Sequence, residues 1–124
     1  MKAEELRIGN FIQFNNKVEM IDSITTKGTW IGSEGVLWND IQPIPLSEEV
    51  LLKSNFIAYA NVYAYELRDL DLSIDVNFTK SGGYIVSVSD EKSDFSRVLS
   101  TTMKLHELQN LIGSFGEEME VKWS

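Results

Sequence analysis

Apolar and polar residues alternate most regularly between positions 69 and 79. Leu70, Leu72, Ile74, Val76 and Phe78 fall on one face; Asp69, Asp71, Ser73, Asp75, Asn77 and Thr79 fall on the other. A period of two predicts a half-buried β-strand. Lys80-Ser81-Gly82-Gly83 predicts a turn, and Tyr84 to Ser89 returns as the second arm of a hairpin. An aromatic strand precedes this pair, around Val62 to Arg68, and a further strand follows from Phe95 to Ser100. The period then changes. Leu105, Leu108, Ile112 and Phe115 step by three, four and three, which predicts an α-helix whose apolar face covers the sheet. Thr101 or Thr102 is the expected cap, and Gly113 or Gly116 the stop. Met119, Val121 and Trp123 alternate with Glu118, Glu120 and Lys122, predicting a short terminal strand at an edge.

The first 45 residues read as short strands joined by tight turns. Asn10 to Phe14 is an apolar run, and Asn15-Asn16-Lys17 follows it. Adjacent asparagines tolerate positive φ, so a hairpin is predicted there. Val18 to Thr25 continues as a strand with Val18, Met20 and Ile24 inward. Thr29-Trp30-Ile31 and Val36-Leu37-Trp38 are two more, separated by Ser33-Glu34-Gly35. Ile41-Gln42-Pro43-Ile44-Pro45-Leu46 runs extended, since proline biases its predecessor away from the helix. Ser47 is a plausible N-cap for a short helix through Val50, Leu51 and Leu52, with Glu48 and Glu49 at its positive end. The fold class is therefore α+β. A small barrel-like antiparallel sheet is expected in the N-terminal half, and an antiparallel hairpin sheet packed by a C-terminal helix in the rest. No linker or repeat marks a boundary, so residues 1–124 read as one domain with two lobes, 1–46 and 47–124.

Composition narrows the function classes. The 124 residues are 43% hydrophobic and contain no cysteine. A chain of this size supports one core without staples. The missing thiols exclude a disulfide framework, a zinc ribbon and a cysteine nucleophile, and they fit a cytoplasmic protein. No apolar run of signal-peptide or membrane-span length is present in the sequence. Net charge is −8. Residues 1–45 carry four basic and six acidic residues, and the remainder seven and thirteen. A negative field repels phosphate backbones, which argues against nucleic acid as a partner.

Three groups of residues invite a chemical reading. Glu66, Asp69, Asp71 and Asp75 form an acidic row; on one strand face, residues two apart sit about 7 Å apart. Carboxylates hold hard cations, but a calcium or magnesium loop needs a glycine turn that this row lacks. A solvated sheet face is the simpler reading, and no metal site is assigned. His106, Gln109 and Asn110 stand at i, i+3 and i+4 on the last helix, so they share one side. Histidine moves protons near neutral pH. Without a nucleophile or an orienting carboxylate beside it, however, the cluster reads as a helix surface or as a polar network tying helix to loop. Tyr59, Tyr63 and Tyr65 are candidates for an aromatic surface, while at least one of Trp30 and Trp38 is expected in the core. No serine sits in a nucleophile elbow and no glycine loop cradles phosphate, so neither a catalytic residue nor a cofactor is assigned.

Three phrases carry a family resemblance. They are Leu6-Arg7-Ile8-Gly9-Asn10 near the start, Pro43-Ile44-Pro45-Leu46 before Ser47-Glu48-Glu49, and His106-Glu107-Leu108-Gln109-Asn110-Leu111 ahead of Gly116-Glu117-Glu118. Together they resemble a family of small proteins from Bacteroidetes genomes and their phages and prophages. The chain departs from it at Val50, where the family often has tryptophan, and at Ile112-Gly113-Ser114-Phe115, which is less helical than usual. The resemblance implies a cytosolic, phage-linked origin and carries no activity. The reading that asks least of the sequence is a non-enzymatic module that binds a host or phage protein. Its alternatives are an acidic mimic of nucleic acid and a small enzyme using His106. A homodimer through the terminal strand is a further expectation.

Overall fold

The computed structural model describes residues 1–123. They form two compact units, residues 1–45 with 104–111, and residues 46–103 with 112 onward. The fold is α+β, with antiparallel sheets and a C-terminal helix.

In the first unit, β1 (Phe11–Phe14) and β2 (Lys17–Met20) form a hairpin. Asn15 and Asn16 both take positive φ, at 53° and 62°, as the predicted turn requires. β2 is shorter than its apolar pattern suggested. It stops at Met20, which is exposed together with Ile24, and Ile21 is the residue that turns inward. The cause is a local exchange: Gly9 N–H donates to the Ile21 carbonyl and Ile21 N–H to the Asn10 carbonyl. A second hairpin joins β3 (Gly28–Ile31) to β4 (Glu34–Leu37). Gly28 is required there, because a Cβ would run into the Val36 carbonyl across the ladder.

These strands do not close into a barrel; they are two separate two-stranded sheets. The connection between them shows why. Ser23 meets the second hairpin through side-chain bonds, with Thr29 Oγ1 donating to Ser23 O at 2.7 Å and Trp30 N–H to Ser23 Oγ at 3.1 Å. That geometry replaces the backbone ladder a barrel would need. The core beneath consists of Leu6, Ile12, Ile21, Val36, Trp38 and Ile41. Trp38 is the tryptophan that enters it, its indole N–H donating to the Thr25 carbonyl at 3.1 Å, and Trp30 stays outside. Gln42 bridges to Gln13 and Pro45 to Lys104, while Ile41 and Ile44 are buried. The helix α2 (Leu105–Gly113) starts where Leu105 N–H donates to the Ile44 carbonyl. It is capped by neither Thr101 nor Thr102. Glu107 reaches back instead to accept from Lys104 N–H at 2.9 Å. Leu105 and Leu108 are buried as predicted, but residues 105–111 belong to the first unit.

In the second unit Ser47 caps α1 (Glu48–Leu52), its Oγ accepting from Val50 N–H at 3.2 Å. A five-stranded antiparallel meander follows: β5 (Ile57–Tyr59), β6 (Val62–Leu67), β7 (Leu72–Phe78), β8 (Tyr84–Asp90) and β9 (Ser96–Ser100). The perfect alternation from residue 69 overstated β7. Arg68–Leu70 is a 3₁₀ turn and Asp71 is left-handed at φ 54°, so the strand begins at Leu72. Ile74, Val76 and Val86 are fully buried on the side shared with Tyr63. Met119 is buried too, but residues 119–123 form no named strand. They run beside residues 53–55, with Asn55 N–H donating to Glu120 O and Lys122 N–H to Lys53 O. Phe115 lies past the end of α2, where Gly116 turns the chain at φ 79°.

Candidate functional site

α2 brings the predicted polar cluster together and then divides its labour. Gln109 Oε1 accepts from Phe11 N–H at 2.8 Å, and its Nε2 donates to the Gly9 carbonyl at 3.1 Å. Asn110 Oδ1 accepts from Asn10 Nδ2 at 2.8 Å, and its Nδ2 donates to the Glu5 carbonyl at 3.1 Å. Asn10 is itself buried and accepts from Arg7 N–H at 2.7 Å. Both amides are thus spent on the segment from Glu5 to Phe11. Ile21 pairs part of that segment's backbone, and these two side chains bond Phe11 N–H and the Gly9 and Glu5 carbonyls, at about 1 kcal/mol for each bond. These two side chains tie α2 to that segment.

His106 differs. One position into the helix, it is 2% exposed, and its Nδ1 has no hydrogen-bond partner. Leaving a buried polar group unsatisfied costs about 1–3 kcal/mol, so such an atom asks for an explanation. Burial pushes the imidazole pKa below its ordinary value of 6.5; Glu107 and Glu5 oppose that shift and Lys104 adds to it. The ring is therefore neutral at pH 7. It borders a cavity of about 410 Å³, lined by Glu5, Ile41, Gln42, Pro43, Lys104 and His106 among others. This is within the size range of small-molecule sites. No carboxylate orients Nδ1, which is the arrangement a catalytic histidine uses.

The acidic row does not share one strand face. Asp69 and Asp71 lie in the turn before β7, not on its face. Asp71 pairs with Lys92 at 2.9 Å, which raises the lysine pKa, and Glu66 stands 3.7 Å from Arg68 Nε. Asp75 accepts from Ser73 Oγ at 2.9 Å and Ser89 Oγ at 2.6 Å. Among the described residues no group of three or more acidic or histidine side chains could hold a metal ion.

The tyrosines do not form one surface either. Tyr63 is buried, edge-on to Phe78 with centroids 5.7 Å apart, and burial followed by Glu48 raises its pKa. Tyr65 packs on Phe56 at 5.5 Å and donates to the Glu118 carbonyl at 3.2 Å; burial and then Glu117 raise its pKa. Tyr59 alone of the three is exposed. In register it stands opposite Val62, on the face away from the other two.

One feature escaped the sequence reading. β9 pairs with β8 on one side and ends the sheet on the other. Val98 is 58% exposed and Leu99 40%, with Phe95 beside them at 63%. The signal was the adjacent pair Val98-Leu99. β9 is irregular at this pair: Val98 stands opposite Ser87 and Ser100 opposite Val86, which leaves Leu99 as the extra residue of a bulge. No helix is long and apolar enough to cross a membrane among the described residues. No protein-family model, curated protein or solved structure matches the chain.

Proposed function

We propose that the chain is a non-enzymatic protein-interaction module that takes an extended segment of a partner protein along the outer edge of β9. The observation that carries this reading is an edge strand, regular over residues 96–98 and bulged at Leu99, whose Val98 and Leu99 side chains are exposed. Soluble proteins blunt such edges with short strands or charges. β5, at the other edge, has three residues; β9 has five and one charge, Arg97. An added strand would gain backbone hydrogen bonds along the regular residues 96–98 and cover Val98. An acidic residue on that strand would meet Arg97. The cysteine-free composition supports action in the cytoplasm, and the phage resemblance directs the partner search to host and phage proteins. Mimicry of nucleic acid is supported less well, because Glu66, Asp71 and Asp75 each have a local partner.

Affinity capture from a host lysate, followed by hydrogen exchange with the isolated partner, tests the reading. Protection should concentrate in residues 96–100. Val98→Lys should weaken capture by about tenfold or more, since it places a charge in the contact, while Tyr59→Lys should leave capture unchanged. Protection that falls elsewhere, or capture indifferent to Val98→Lys, refutes the proposal. Self-association of the chain through β9 would refute the heterologous partner as well.

A further inference from the structure

The sheet of the second unit has one covered face and one open face. The covered face holds Tyr63, Ile74, Val76 and Val86, all buried. We infer that the open face seats an amphipathic α-helix of a partner protein, with a basic residue of that helix set over Asp75. This contact is separate from strand pairing at β9, and three observations lead to it.

The first is a row across the sheet. Ile57, Ala64, Asp75, Ser87 and Val98 are successive cross-strand partners, one from each of the five strands. The ends are apolar and exposed, at 43% for Ile57 and 58% for Val98. Tyr59, on the same face of β5, is exposed as well. Ala64 and Ser87 between them are small, so the face is a trough with apolar rims. The second is its width. Five strands span four spacings of about 4.8 Å, or about 19 Å from rim to rim. An α-helix with its side chains measures about 10 Å across, so one helix fits between the rim side chains. The third is charge. Asp75 lies on the middle strand, its two carboxylate oxygens held by Ser73 Oγ at 2.9 Å and Ser89 Oγ at 2.6 Å. Hydroxyls orient the carboxylate without neutralising it, and none of the ion pairs among the described residues includes it. A half-buried carboxylate without a cation is complementary to a lysine or arginine, whose aliphatic stem would lie over Ala64. A second copy of the chain does not suit this seat, because two such faces would bring Asp75 against Asp75.

The probe is a synthetic helical peptide with a lysine stripe bounded by leucines on both sides. Added to the intact chain, it should give saturable shifts in the backbone NMR signals of Ala64, Asp75 and Ser87. The same peptide with glutamine for lysine should bind about tenfold more weakly. Asp75→Asn keeps the shape of the side chain and removes its charge, and should weaken binding by about tenfold. Asp22→Asn removes an exposed acid of the first unit and should leave binding unchanged, which tells this contact from attraction to the net charge of −8. Tyr59→Lys should weaken peptide binding about fivefold, although it is indifferent for capture at β9, so failure here is distinguished from failure there. Tyr59→Lys also carries the test if Asp75→Asn does not fold. The inference is overturned if no saturable shift appears, if the shifts fall outside this face, or if the folded variants bind as the parent does. Equal weakening by Asp22→Asn and Asp75→Asn overturns it as well. So does sedimentation showing the chain paired with itself and that pairing lost in Tyr59→Lys.

Discussion

His106 keeps a neutral imidazole in a place where charging it is costly. In the unfolded chain it titrates near its ordinary 6.5, and in the fold burial holds it lower. Between those two values the unfolded state binds the proton and the folded state does not. Stability must therefore fall as pH descends through 6.5, and level off once the folded imidazole also takes its proton. Above 6.5 the contribution is fully present. Glu5 and Glu107 reduce the size of the step and Lys104 enlarges it. Urea unfolding of the parent and of His106→Leu across neutral to mildly acid pH checks this. The parent should lose stability relative to the variant as pH falls, whereas parallel curves would contradict a buried neutral imidazole. Gln109 and Asn110 share the helix face with His106 but answer to a different constraint. They supply partners for Phe11 N–H and for the Gly9 and Glu5 carbonyls.

Among the elements, the β3–β4 hairpin depends most on one residue. At Gly28 a Cβ would strike backbone, the Val36 carbonyl, and a ladder cannot yield as a side chain can. Gly28→Ala should cost about 2–3 kcal/mol. Gly35→Ala is the control, because its Cβ would meet the Trp30 ring at an ordinary 3.6 Å; about 1 kcal/mol or less is expected there. Thermal or urea unfolding of the two variants decides the matter, and equal losses would remove the backbone argument. The turn before β7 makes a similar point about local chemistry. Asp71 adopts the left-handed conformation that aspartate tolerates better than most residues, so the β6–β7 hairpin closes there. The alternating pattern continues through residues 69–71 because a turn can also alternate polar and apolar residues. Periodicity does not register where the strand stops.

At the scale of the whole molecule, the net charge of −8 is spread over a chain in which few acids have basic partners. Self-repulsion of like charge opposes compaction, and salt screens it. The melting temperature should therefore rise from low to high sodium chloride, by a few degrees. A melting temperature that falls with salt would show that the exposed ion pairs matter more than the repulsion.

The sequence by itself determined what depends on neighbours along the chain. Ser47 caps α1 and Asn15-Asn16 turns the first hairpin, because those side chains and φ preferences act locally. The strands β7 and β8, the buried faces of Ile74 and Val76, and the helical spacing of Leu105 and Leu108 were legible from periodicity. The three-residue strand β5 was too short for periodicity to show. What only the tertiary structure decided is what depends on partners distant in sequence. Two hairpins stayed separate instead of closing, because Ser23 bonds through side chains in place of a ladder. Tyr63 and Tyr65 turned to one face and Tyr59 to the other by cross-strand register. The polar cluster on α2 split into a clamp and a cavity wall because residues about a hundred positions earlier supplied partners for Gln109 and Asn110 and none for His106 Nδ1. Helical spacing places those three side chains on one face. Only the packing around that face decides which of them is left with an unmet bond.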